Sequence, residues 1–195
     1  MAKFTMYKRW MWQTPIALLV IVSLASLGWS QDRTYGFGRT PTEAEISAWD
    51  SAIGPDGKEL PAGKGTAAEG KLLYQQKCAA CHGETGTEGP QDKLVGGRGT
   101  LATEKPLKTI GSYWPYATTI YDYVQRAMPL PQPGSLTANE TYALTAYLLY
   151  LNGIISEQVV IDAQTLPHVQ MPNRYGFIPD PRPDVGQPGN SQPPR

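Results

Sequence analysis

The run Cys78-Ala79-Ala80-Cys81-His82 constrains this 195-residue chain more than any other feature. It contains both cysteines of the sequence and one of its two histidines. Residues three apart on a helical turn face the same side, so the two thiols are presented together with an imidazole beside the second. Two cysteines exclude a disulfide-rich scaffold and a four-cysteine zinc site. A mixed zinc site wants four ligands, and only His168 is left to add. A thioredoxin-like redox pair wants a strand before the motif, whereas the pattern ahead of Cys78 is helical. A tight disulfide would leave His82 without a role.

Cys-x-x-Cys-His is the spacing of covalent haem attachment. Two thiols on one turn can add across the two vinyl groups of one haem, and the adjoining His82 then meets the iron from the same side. The iron needs a sixth ligand, and a His/Met pair raises the potential and closes the site. Beyond residue 30 the methionines are Met128 and Met171. Met128 is the preferred ligand because it ends a helix that must help enclose the haem; Met171 and His168 are the alternatives. The metal ligands expected are therefore His82 and Met128, with one covalent haem c as cofactor.

The chain has 17 basic and 17 acidic residues and a formal net charge of zero, which excludes a strongly basic nucleic-acid binder. Lys3, Lys8 and Arg9 precede an uncharged stretch from Trp10 to Ser30, most apolar over Pro15–Leu27. This is the plan of a secretory signal peptide, expected to occupy residues 1–30. The rival is an uncleaved membrane anchor, since Trp10–Ser30 is long enough to span a bilayer. Either way the body is expected in the periplasm, touching the membrane only if the leader stays. Without the leader, 14 basic groups face 17 acidic ones, a net charge of −3.

Residues 31–65 read as an N-terminal extension with a short helix near 42–50, capped by Thr42 and Glu45 and packed by Trp49. A second helix starts at Thr66, where Glu69 completes another Thr-x-x-Glu box, and runs into the motif; Gly70, Leu73, Tyr74 and Cys78 share a face. Residues 83–112 are Gly-rich loop. After Pro115 the stripe Ile120, Tyr123, Val124, Ala127, Met128 predicts a third helix, stopped by Pro129, Pro131 and Pro133. Thr137 and Glu140 cap a fourth, with the face Leu144, Tyr147, Leu148, Leu151 and Gly153 at its end. No strong strand pattern is present. Residues 66–155 are the expected haem-bearing domain and 156–195 a C-terminal extension, Pro/Gly-rich from Asp180 onward. Trp114 is a candidate to donate to haem propionates or to cover the haem edge, and Arg98 to pair with a propionate or to stand in solvent.

Over about residues 66–153 the chain resembles class I c-type cytochromes: capped helix, CAACH, Gly-rich loop, helix ending in Met-Pro, capped final helix. The resemblance implies an all-α fold of three to four helices around one covalent haem, with long irregular extensions. It implies that Gly70 and Tyr74 on the first helix cross Leu144 and Tyr147 on the last. It also implies that Pro90 flanks the proximal histidine, its preceding carbonyl region taking the imidazole N–H.

Four further stretches are similar to SoxD, the cytochrome subunit of bacterial sulfur dehydrogenase, and to sulfite dehydrogenase cytochrome subunits. They are Tyr35-Gly36-Phe37-Gly38-Arg39, the run from Gly111 to Thr119, the run from Tyr142 to Tyr147, and Met171-Pro172-Asn173-Arg174. The similarity implies single-electron transfer from a molybdenum-cofactor dehydrogenase subunit to a downstream cytochrome or oxidase. The chain departs from two-haem members in having one CxxCH. The alternative is a haem enzyme acting directly on a small substrate, thiosulfate-oxidising or peroxidase-like, although no distal acid–base group is evident near the motif.

Overall fold

The computed structural model describes residues 37–178. The leader at 1–30 and the tail from Asp180 lie outside the described residues. Contacts divide the chain after Ile46.

Helix α1 (Glu43–Trp49) starts where the Thr-x-x-Glu signal placed it. Glu45 accepts the Thr42 N–H at 2.9 Å, and Thr42 Oγ1 accepts the Glu45 N–H at 3.3 Å. The Arg39 guanidinium grips the same carboxylate, which, with Thr42, holds it down at about 2. None of the α1 residues is buried. Trp49 is 88% exposed, which corrects the expectation that it packs this arm. A seven-residue helix carries too short an apolar face to cover an indole by itself.

Helix α2 (Ala67–Lys77) has the full capping box at Thr66 and Glu69. A single turn, α3 (Ala79–His82), follows α2 after a break at Cys78. Helix α4 (Ala117–Ala127) is followed by α5 (Ala138–Leu151), which starts at the Thr137–Glu140 box. Gly153, just beyond the end of α5, sits at φ 62°, as the sequence suggested.

Helix α5 is the axis of the core. The residues from Thr141 to Leu149 are all buried, on every face rather than on one stripe. Helices α2 and α4 pack against it, as do two short strands, β1 (Lys64–Gly65) and β2 (Ile161–Asp162). The strands pair antiparallel with Gly65 opposite Ile161. The segments read as extensions thus contribute to the core: Ile53, Leu60, Ile161, Leu166 and Met171 are all buried in it. The Tyr142 hydroxyl donates to the Pro61 carbonyl at 2.8 Å.

The α4 stripe is rotated from the expected one. Tyr121 is fully buried and stacks on Tyr142 at 4.5 Å, whereas Tyr123 is half exposed. Thr118 and Asp122 are buried on the same helix. Sequence periodicity counts apolar residues, and a buried aspartate and threonine shift the true inward face away from the apparent one.

The α2–α5 crossing is the tightest contact. A Cβ at Gly70 would run into the Ala143 carbonyl oxygen and come within 2.8 Å of Tyr147 Cβ. One turn on, Tyr74 and Tyr147 meet at 5.3 Å. Gly65 makes a similar approach, its absent Cβ falling 2.7 Å from Ala143 Cβ.

Gly70→Ala gives a sign test. In an unhindered helix interior alanine gains about 1 kcal/mol over glycine. Here overpacking should reverse that and cost about 1–3 kcal/mol, read as a lower urea midpoint. An unchanged or raised midpoint would show that the helices can part without penalty.

Candidate functional site

The attachment turn is built by a change of backbone at Cys78. Its N–H still donates to the Tyr74 carbonyl, but φ −124°, ψ −37° ends α2 there. Its carbonyl accepts from Cys81 N at 3.1 Å and His82 N at 3.0 Å, closing α3. Gly83 stops the turn at φ 80° and donates to Ala79 O at 2.8 Å. Cys78 and Cys81 are both free thiols, half-buried and exposed respectively. Burial pushes the Cys78 thiol up to about 11, so near neutral pH it is protonated. The Tyr74 hydroxyl donates to Gly83 O at 2.9 Å, linking the helix crossing to the turn. Burial raises that phenol well above its usual range.

The following loop folds back over the turn. Gln91 N donates to Cys81 O at 2.9 Å. A Cβ at Gly89 would strike that same carbonyl and lie 2.5 Å from Gly83 N, so the approach is one only glycine makes. Leu94 N and Val95 N both reach the Gly86 carbonyl. The result is a backbone carbonyl, Asp92 O, set 2.8 Å from His82 Nδ1. A carbonyl only accepts, so Nδ1 carries the proton and Nε2 keeps its lone pair, the arrangement that orients a metal-binding imidazole.

This corrects the expectation for Pro90. Pro90 flanks the loop, but the carbonyl that takes the imidazole N–H belongs to Asp92, two residues further on. Gly89 brings the chain against the turn and Gln91 locks it there, so the ring meets the chain one peptide past the lock. No side chain signals this acceptor.

Glu88 braces the same loop. Its carboxylate accepts from Thr85 N at 3.0 Å, Thr87 N at 2.9 Å and both threonine hydroxyls. Those bonds, led by Thr85, lower it to about 2.

Met128 caps the C-terminus of α4 with extended backbone, its N–H donating to Val124 O at 3.1 Å, and it is half-buried. The two alternatives lie elsewhere. Met171 is buried at 3% exposure in the apolar core, and His168 is exposed on the 3-10 turn Leu166–His168. Trp114, half-buried, stands edge-on to Tyr123 at 5.8 Å. Arg98 is exposed and gives Nη2 to the Asn152 carbonyl at 2.9 Å.

Asn152 is a residue that sequence reasoning missed. Its side chain donates to Leu94 O and Leu148 O, and its Oδ1 accepts from Gly96 N. It ties residues 94–98 to the end of α5. Its position just before Gly153 marks a helix end, but nothing local points to the loop more than fifty residues earlier.

The donor set fits a covalently held haem. Two free thiols lie on one turn, beside an imidazole whose tautomer leaves Nε2 available to iron. The structure brings Cys78, Cys81 and His82 together, and it puts Met128 at the end of a separate helix.

Comparisons with known proteins agree. A family model described as Cytochrome c matches residues 67–152. A chain in the crystal structure of the sulfane dehydrogenase SoxCD from Paracoccus pantotrophus is 43% identical, with a TM-score of 0.69. That match covers 82% of this chain and 79% of the other. A thiosulfate dehydrogenase of Stutzerimonas stutzeri is 29% identical over 114 residues, which are 52% of this chain and 36% of the relative. The chain thus matches only about a third of that relative's length.

The Glu88 brace should be pH-dependent. Because its carboxyl is held below the ordinary value of 4.5, its contribution is full above that value and lost as pH falls through about 2. Amide-exchange protection at Thr85 and Thr87 should persist below pH 4.5 and vanish toward pH 2. In Glu88→Ala it should be absent throughout; equal protection in that variant would remove Glu88 from the loop's support.

Proposed function

The chain belongs to the cytochrome c family and carries covalently bound haem c, and on that premise we propose that it is a periplasmic one-electron carrier in which His82 and Met128 would ligate the iron. Its all-α, class I cytochrome c fold is the one the sequence led us to expect. Cys78 and Cys81 are the thioether anchors in this reading. The bond from His82 Nδ1 to Asp92 O carries it, because it leaves the Nε2 lone pair free for ligation. The haem, when bound, supplies the one-electron couple; the protein supplies orientation, potential and an exposed edge for partners.

In this reading Met128 closes the sixth position with a thioether, which raises the potential and shuts out substrates. Trp114 is the residue assigned to a propionate or to covering the haem edge. Arg98 keeps further N–H groups for a propionate beyond the one given to Asn152. Pro90 stiffens the loop behind His82.

The electron source we propose is a molybdenum-containing sulfur-compound dehydrogenase subunit, with a downstream cytochrome or oxidase as acceptor. What supports this is the 43% identity to a chain of SoxCD, a sulfane dehydrogenase. No helix among the described residues is long and apolar enough to cross a membrane; the periplasmic location rests on the reading of residues 1–30 as a leader. A second reading, direct oxidation of thiosulfate at the haem, is favoured by the match to a thiosulfate dehydrogenase.

Two measurements decide between them. The ferric protein should show the far-red band of methionine–iron bonding, and Met128→Ala should abolish it while Met171→Leu leaves it intact. Loss in the Met171 variant instead would reassign the ligand. The haem should be reduced by sulfite or thiosulfate only when a co-purifying molybdenum protein is present. Reduction by thiosulfate with the purified cytochrome alone would favour the direct enzyme.

A further inference from the structure

Helix α4 is held from both sides of the sequence by polar contacts that a haem-binding helix does not require. From the N-terminal side, the buried carboxylate of Asp122 accepts the backbone N–H of Ile53 at 3.1 Å and also pairs with Arg126. Ile53 is itself buried in the core, so its N–H cannot move aside freely. From the C-terminal side, Asn173 Nδ2 donates to Tyr113 O at 2.7 Å, and the Arg174 guanidinium lies 4.4 Å over the Tyr116 ring. Tyr113 and Tyr116 are the residues that lead into α4, and Tyr116 is its N-cap. Met171, two residues before Asn173, anchors this strap in the core.

These contacts bracket the helix that ends in Met128. The strap holds its entry, and Ile53 holds its middle, six residues before the methionine. From outside the 66–155 region, Ile53 thus bonds to α4 itself, and Asn173 and Arg174 contact the residues that lead into it. A helix pinned at its start and centre has little freedom to swing its C-terminal residue outward.

We propose that the two chain extensions form a latch on α4 that holds Met128 at the iron against competing ligands. The proposal rests on Met128 being the sixth ligand. Asp122, Asn173 and Arg174 are positioning residues in it, acting through the helix and touching no haem atom. An axial methionine leaves the iron only when its segment opens, and a competitor binds the open fraction. Loosening the latch raises that fraction and the competitor's apparent affinity in proportion.

Imidazole binding to the ferric holoprotein, followed by loss of the far-red band, tests this. Asn173→Ala/Arg174→Ala and Asp122→Ala should each keep the band without imidazole but bind imidazole about ten-fold more tightly, the size of one hydrogen bond. Asp122→Asn retains an oxygen for the Ile53 N–H and should stay nearer the wild type. Thr137→Ala removes the α5 cap and lowers urea stability by about 1 kcal/mol; it should leave imidazole affinity unchanged. Unaltered imidazole affinity in the strap variant and in Asp122→Ala would overturn the latch. So would an equal gain in Thr137→Ala, which would mean that affinity merely follows global stability. If Met128→Ala has the same ferric spectrum as the wild type, the ligand assignment has failed and the latch falls with it.

Discussion

Everything in this structure depends on how closely α2 can approach α5. At Gly70 the two helices meet backbone to backbone, with the Ala143 carbonyl and Tyr147 Cβ occupying the space a Cβ would need. That approach places Tyr74 against Tyr147 and lets the Tyr74 hydroxyl reach Gly83 O, the carbonyl just past the attachment turn. The turn's position is therefore set by a helix crossing two turns upstream. Close packing of this kind is barely compressible and transmits strain, so the crossing passes a definite geometry to Cys78, Cys81 and His82.

Behind the turn, control passes from side chains to backbone. Gly89 and Gln91 seat the loop on Cys81, and Asp92 O fixes the imidazole tautomer. Glu88 braces the threonines before them, and Asn152 stitches residues 94–96 to α5. A site made this way needs few polar side chains. Its work is to hold one prosthetic group still, which suits a carrier that must change little between oxidation states.

The extensions are structural partners of the haem domain. Ile53, Leu60, Ile161, Leu166 and Met171 fill the core, and β1 pairs with β2 across almost a hundred residues. The family model covers residues 67–152, whereas the likeness to a SoxCD chain covers 82% of the protein. The longer match is too long to lie within residues 67–152 and so extends beyond the common core. Burial of the extension residues explains how a chain with 38 glycines and prolines in 195 residues still closes a core.

The sequence by itself determined the spacing of the two thiols and the starts of the helices with Thr-x-x-Glu boxes. Both depend on residues within four positions of one another: the thiols of Cys78 and Cys81, and the Thr-x-x-Glu boxes at Thr42, Thr66 and Thr137. It also marked Gly70, Tyr74, Leu144 and Tyr147 through resemblance. Tertiary structure decided the rest. It turned Tyr121 inward and Tyr123 outward, because Tyr142 and buried Asp122 set the face of α4. It exposed Trp49, buried Met171, and moved the histidine's acceptor from the region of Pro90 to Asp92. The face of α4 follows from partners far along the chain, with Ile53 meeting Asp122 at a separation of 69 residues and Pro61 meeting Tyr142 at 81. Spacing encodes what neighbours in the chain can do to one another; which distant atom fills a given space is settled only when the chain packs.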